Sequence, residues 1–132
     1  MQFHHFGLAV YDFEPALSFF IKLGYSNSEK VVDELQNVEL IFCSSNNQPS
    51  VELIKPINEK SPVYPFLKRN HEMIYHACYK VENIERALKE FFGGMRVILV
   101  SASKQAKLFE NRRVAFYFIK GIGLIEFLED IH

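Results

Sequence analysis

The chain changes hydrophobic period several times, and each change marks an element. Phe3 to Val10 reads as one short apolar strand. Asp12 then offers a helix N-cap and Pro15 is tolerated in the opening turn. Apolar residues at Leu17, Phe20 and Ile21 recur with helical spacing until Gly24 stops the run. Strand-like runs follow at 27–33, 37–44 and 50–55, and the polar stretch 44–49 supplies a turn. Further on, 74–81 reads as a strand, Asn83 is placed to cap a helix reaching 92, and Gly93-Gly94 ends it. Strands at 95–101, 112–119 and 122–128 complete the pattern. Between the halves, Ser61-Pro62 provides an N-cap and an N1 proline for a short helical turn over Pro62–Arg69.

The two halves read alike. The His, Val, Glu, Ala, Leu and Phe at 5, 10, 14, 16, 17 and 20 meet their like at 76, 81, 85, 87, 88 and 91 without a gap. Val51-Glu52-Leu53-Ile54 finds its counterpart in Ile125-Glu126-Phe127-Leu128. A repeat of roughly 70 residues is too long for a solenoid unit and points to a duplicated module. The expected architecture is α+β: one domain over 1–132, with a βαβββ module at 1–55, a linker at 56–73 and a second βαβββ module at 74–132. An unrelated α+β sandwich is the alternative.

Composition narrows the partners more than the fold. A chain of 132 residues, 48% hydrophobic and 23% charged, is ordinary for one globular domain and excludes a disordered or fibrous class. The formal net charge is −1 and no Lys/Arg cluster stands out, which argues against nucleic acid or an anionic membrane as partner. No apolar run approaches the roughly 18–20 residues that span a bilayer, and no basic-then-apolar signal opens the sequence. Cys43 and Cys78 both lie in apolar runs, as buried thiols of a reducing cytoplasm would. The expectation is a soluble cytoplasmic domain.

The residues that mark the repeat also carry its chemistry. Successive side chains of a strand point to opposite faces, so His5 lies opposite Phe6, Leu8 and Val10, and His76 opposite Ala77, Tyr79 and Val81. Glu52 and Glu126 each sit between apolar neighbours and point away from them. If these strands curl into one sheet, two imidazoles and two carboxylates converge on its concave face. Such a set suits a divalent first-row metal with positions left for substrate. A lone strand His or an alternating Glu is ordinarily plain sheet surface; the pairing, a His opening and a Glu closing each module, is what favours a metal site. His4, His71 and His132 have no such counterparts and are read as surface residues.

With those residues in place, the chain resembles the vicinal oxygen chelate superfamily, which includes glyoxalase I, methylmalonyl-CoA epimerases, extradiol dioxygenases and bleomycin-resistance proteins. Within it the epimerases are the most similar. The segments that carry the resemblance include His5-Phe6-Gly7-Leu8-Ala9-Val10, Leu35-Gln36-Asn37-Val38, Val51-Glu52-Leu53-Ile54-Lys55-Pro56 and Ser61-Pro62-Val63-Tyr64-Pro65-Phe66-Leu67. Tyr75-His76-Ala77-Cys78, Arg113-Val114-Ala115-Phe116 and Gly121-Ile122-Gly123-Leu124-Ile125-Glu126 complete them. Lys104–Asn111 stands where those enzymes carry a Gly-rich, His-containing loop, and Tyr117-Phe118-Ile119-Lys120 where they carry His-Pro.

The resemblance implies a curved, partly open mixed-sheet barrel, a divalent metal (Co, Ni, Zn or Mn) on His5, Glu52, His76 and Glu126, and a homodimer. It implies an enzyme that stabilises an enolate, with a CoA thioester of methylmalonyl type as substrate and epimerisation by α-proton transfer as reaction. Glu126 is the first candidate for base or acid, with Glu52 or Glu39 on the opposite face; Glu39, between Val38 and Leu40, also reads as plain exposed sheet. Lys55, Lys68 and Arg69 are basic enough for CoA phosphates but read first as solvated. A glyoxalase I-like lactoylglutathione lyase uses the same ligands. An extradiol dioxygenase needs only two His and one carboxylate. A non-catalytic, bleomycin-resistance-like binding protein would use the 13 Phe and 6 Tyr as a cavity lining, although a sheet core uses such residues more often.

Overall fold

In the computed structural model, which describes residues 1–130, the alternation of Phe3–Val10 becomes β1 (Gln2–Ala9). It is followed by α1 (Phe13–Lys22), β2 (Ser26–Asn27), β3 (Val31–Asp33), β4 (Val38–Ser45) and β5 (Gln48–Pro56). The second half repeats the order as β6 (Met73–Val81), α3 (Ile84–Phe92), β7 (Val97–Ala106), β8 (Arg112–Ile119) and β9 (Gly123–Glu129), with α2 (Val63–Asn70) between the halves. Among the described residues the class is α+β, with nine strands and three helices, the strands pairing both parallel and antiparallel. The strand expected at 27–33 is two short pieces, β2 and β3, each paired antiparallel with β4. The run expected to stop near 101 continues to Ala106, followed by a 3₁₀ turn at Lys107–Phe109.

The chain divides into two compact units, one formed by His5–Tyr75 and the other by Met1–His4 together with the chain from His76 onward. In the first, the strands run in the order β2-β4-β5-β1, with β3 beside β4. β1 and β5 are parallel, and β4 and β5 form an antiparallel hairpin. α1 covers one face: Phe13, Ala16, Leu17 and Phe20 pack on Ile41, Cys43, Val51 and Leu53. Asp12 is its N-cap in extended conformation, although its side chain makes no cap bond. Gly24 (φ +92°) ends it, with Tyr25 N–H donating to Phe20 O and Gly24 N–H to Ile21 O.

The second unit repeats this plan with β6-β9-β8-β7, β6 and β9 parallel and β8 antiparallel to both its neighbours. Here α3 brings Ile84 and Ala87 against Val81, Ala115, Ile119, Ile125 and Phe127. Asn83 Oδ1 accepts from Arg86 N–H at 2.8 Å, the cap its position predicts. The carboxylate of Glu129 accepts the Ile84 N–H at 3.0 Å, and the same carboxylate is held by Arg113, which also grips Glu85 at 2.7 and 2.9 Å. The residues Met1–His4 contribute Phe3, edge-on to Tyr79, and His4, edge-on to Phe109 at 5.4 Å. His4 is therefore half-buried rather than a surface residue; His71 is exposed, and His132 lies outside the described residues. No helix among the described residues is long and apolar enough to cross a membrane.

Candidate metal centre

β5 and β9 are the inner strands of their units, and residues 51–54 and 125–128 are buried on both faces. One face of each lies under a helix. The other carries Glu52 or Glu126, buried to 4% and 2% exposure, where an apolar residue would be the ordinary occupant. His5 and His76 are buried to 0% and 2%. In the first unit β1 places His5 Nε2 3.6 Å from Glu52 Oε1; in the second, β6 places His76 Nε2 3.1 Å from Glu126 Oε1. The four residues that the repeat singles out thus form two equivalent His–Glu pairs.

The donor chemistry of each pair fits a divalent ion. Imidazole nitrogen and carboxylate oxygen bind such ions at about 2.0–2.2 Å, which puts two neighbouring donors about 3.0–3.6 Å apart. The observed separations, 3.1 and 3.6 Å, match that spacing. A carboxylate this far from solvent is costly unless a cation or strong hydrogen bonds accompany it. Each of the four residues presents one donor atom of ligand type. Equivalent aromatic neighbours go with the pairs. Phe42 of β4 lies directly across the ladder from Glu52 and Phe116 of β8 directly across from Glu126. Their rings stand edge-on to His5 and His76 with interplanar angles of 83° and 82°.

Glu39 is not brought to this face. It is directly across from Lys55, whose ammonium lies over the Phe13 ring of α1, and it pairs with Lys30 at 2.9 Å. Strand parity groups Glu39 with Ile41 and Cys43, which α1 covers. Lys68 and Arg69, in the last turn of α2, are exposed. The two rings beside the histidines are the residues that sequence reasoning missed. Their signal was the pairing register, which a single strand does not display.

Residues 4–116 of the chain match a sequence model of the glyoxalase/bleomycin resistance protein/dioxygenase superfamily. The chain belongs to that superfamily. Among relatives, it is 34% identical over 102 residues to an ethylmalonyl-CoA/methylmalonyl-CoA epimerase of Cereibacter sphaeroides, covering 74% of each chain. It is 32% identical over 91 residues to the mitochondrial methylmalonyl-CoA epimerase of Homo sapiens, covering 67% of this chain and 51% of the human one. The chain thus spans about half the length of that relative. A solved structure of methylmalonyl-CoA epimerase from Mycobacterium tuberculosis superposes with a TM-score of 0.80 over 99% of this chain and 89% of the other, at 21% identity. That likeness is one of fold. The superfamily assignment bears out the resemblance read from the sequence, and its epimerase members are prominent among the matches.

Proposed function

We propose that this superfamily member is a metal-dependent acyl-CoA epimerase, in which His5, Glu52, His76 and Glu126 hold one divalent ion. The observation that carries the reading is the duplicated His–Glu pair, buried in each unit and spaced as ligands are. The chemistry a divalent ion supplies in such a set is Lewis acidity toward a carbonyl oxygen on which negative charge develops. The two histidines would orient it and the carboxylates would balance its charge.

A carboxylate has a second oxygen, so a ligating glutamate retains one that can carry a proton. In this reading Glu126 takes the α-proton of a methylmalonyl-type thioester, and the C–H electron pair moves into the enolate. Glu52, carrying a proton on its other oxygen at the start of the turnover, delivers it to the opposite face, which inverts the centre. Positioned acid–base transfer of this kind contributes about 10²–10⁴-fold. The CoA thioester is supported by the names of the relatives. A homodimer and a cytoplasmic setting belong to the same proposal. The apolar β7 edge, with Ile98, Leu99 and Val100 more than half exposed, supports the first, and two free buried cysteines the second.

The test combines elemental analysis of untagged protein with incubation in D₂O and methylmalonyl-CoA, followed by mass spectrometry. The expected result is a stoichiometric divalent metal and one deuterium gained at the α-carbon. Glu126→Gln should keep the fold by circular dichroism and lose the exchange; wild-type exchange in that variant removes Glu126 from the role. A protein that is metal-free and ignores added cobalt, nickel, zinc or manganese overturns the enzyme reading in favour of a binding module. Metal without exchange directs attention to the glutathione hemithioacetal.

A further inference from the structure

Each buried imidazole has an aromatic ring at the same place relative to its own glutamate. The centroid of Phe42 lies 5.6 Å from that of His5, and the centroid of Phe116 lies 5.1 Å from that of His76. Both contacts fall in the range where an edge-to-face pair is favourable. Strand register produces the arrangement. Phe42 and Glu52 are direct partners on β4 and β5, and Phe116 and Glu126 are direct partners on β8 and β9. Direct partners share a face, so ring and carboxylate flank the histidine of the next strand together. The duplicated unit is therefore a triad of His, Glu and Phe. Sheet packing alone would be satisfied by any apolar side chain at 42 and 116; a perpendicular ring at both is a more specific solution.

We infer that Phe42 and Phe116 are positioning residues for the proposed metal centre, setting the planes of the His5 and His76 rings so that each Nε2 is held toward its glutamate. This rests on the metal reading above. An imidazole turns about its χ2 bond, and a ligand that must be oriented on each binding event binds less tightly than one already fixed. Histidine ligands are usually fixed by a hydrogen bond to the other ring nitrogen, and losing such outer support costs about 10–100-fold in metal affinity. Here a ring face or edge does part of that work and also keeps water from the donors.

The test is cobalt binding to the full chain and to Phe42→Leu, Phe116→Leu and the corresponding Tyr variants. Affinity is read by competition titration, and geometry by the visible absorption of bound Co²⁺. Leucine keeps an apolar side chain of similar bulk but no ring; both positions are partly exposed, so the tyrosine hydroxyl has room to reach water. The expected result is a loss of about tenfold or more in affinity and an altered cobalt spectrum for each Leu variant, with both restored by Tyr and with unfolding midpoints of the metal-free Leu and Tyr proteins alike. Leu variants that match the wild type in affinity and spectrum overturn the inference alone. A wild-type chain that binds no cobalt overturns the metal reading and this inference with it.

Discussion

At His5 the demands of a sheet interior and of a ligand coincide, because a side chain with no exposure has few partners and each must be polar where the imidazole is polar. Replacing it with alanine removes one donor and also the cost of burying a polar ring. His5→Ala should cost the metal-free chain about 2–4 kcal/mol, through the cavity and the buried Glu52 carboxylate it leaves, while metal affinity falls by more than about 100-fold, beyond the range of outer-support losses. Denaturant unfolding in chelator gives the first quantity and competition titration the second; unchanged metal content removes His5 from the site. The four candidate residues were legible because each is a polar residue inside an apolar run. Glu39 looked equivalent by that criterion, yet its register partner is Lys55 rather than Glu52, and only the ladder reveals which face the helix takes. Phe42 and Phe116 were hidden for the opposite reason, being apolar residues in apolar strands.

Among the elements, α3 shows how the second unit is tied together. Its first N–H groups are met by Asn83 and by Glu129, and Arg113 draws Glu129 and Glu85 to one guanidinium. Arg113 holds both carboxyls below their ordinary range. A carboxyl lowered on folding stabilises the native state above its unfolded pKa, near 4.5, and that support fades as pH falls through the lowered value. Arg113→Met should cost about 1 kcal/mol at neutral pH, and the difference from wild type should shrink as the pH is taken below 4. Denaturant midpoints across that range check it; a cost that is constant with pH would place the effect in packing. The helix itself was readable from Asn83 and Gly93-Gly94. The Arg113 clamp was not, since it joins residues distant in sequence. The β7 extension was missed because Ser101–Lys104 breaks the alternation, and the register shifts with β8 fall at that point.

For the whole molecule, duplication was the feature most fully written in the sequence: two modules, the same order of elements, and a His and a Glu at matching places. The boundary between units was not. It falls inside β1, leaving Met1–His4 with the second module's residues while the rest of the strand belongs to the first. Periodicity sees one uninterrupted strand there, because a backbone can serve two neighbours without any change of pattern. The arrangement decides what trimming the N-terminus would do. Phe3 and His4 fill space beside Tyr79 and Phe109, so their loss should loosen a part of the protein more than seventy residues away in sequence. Amide hydrogen exchange on a chain shortened by four residues should show faster labelling after residue 76 than within 5–75. Faster labelling confined to 5–75 would contradict this division. A tag fused ahead of Met1 would therefore load that same distant region rather than the strand it extends.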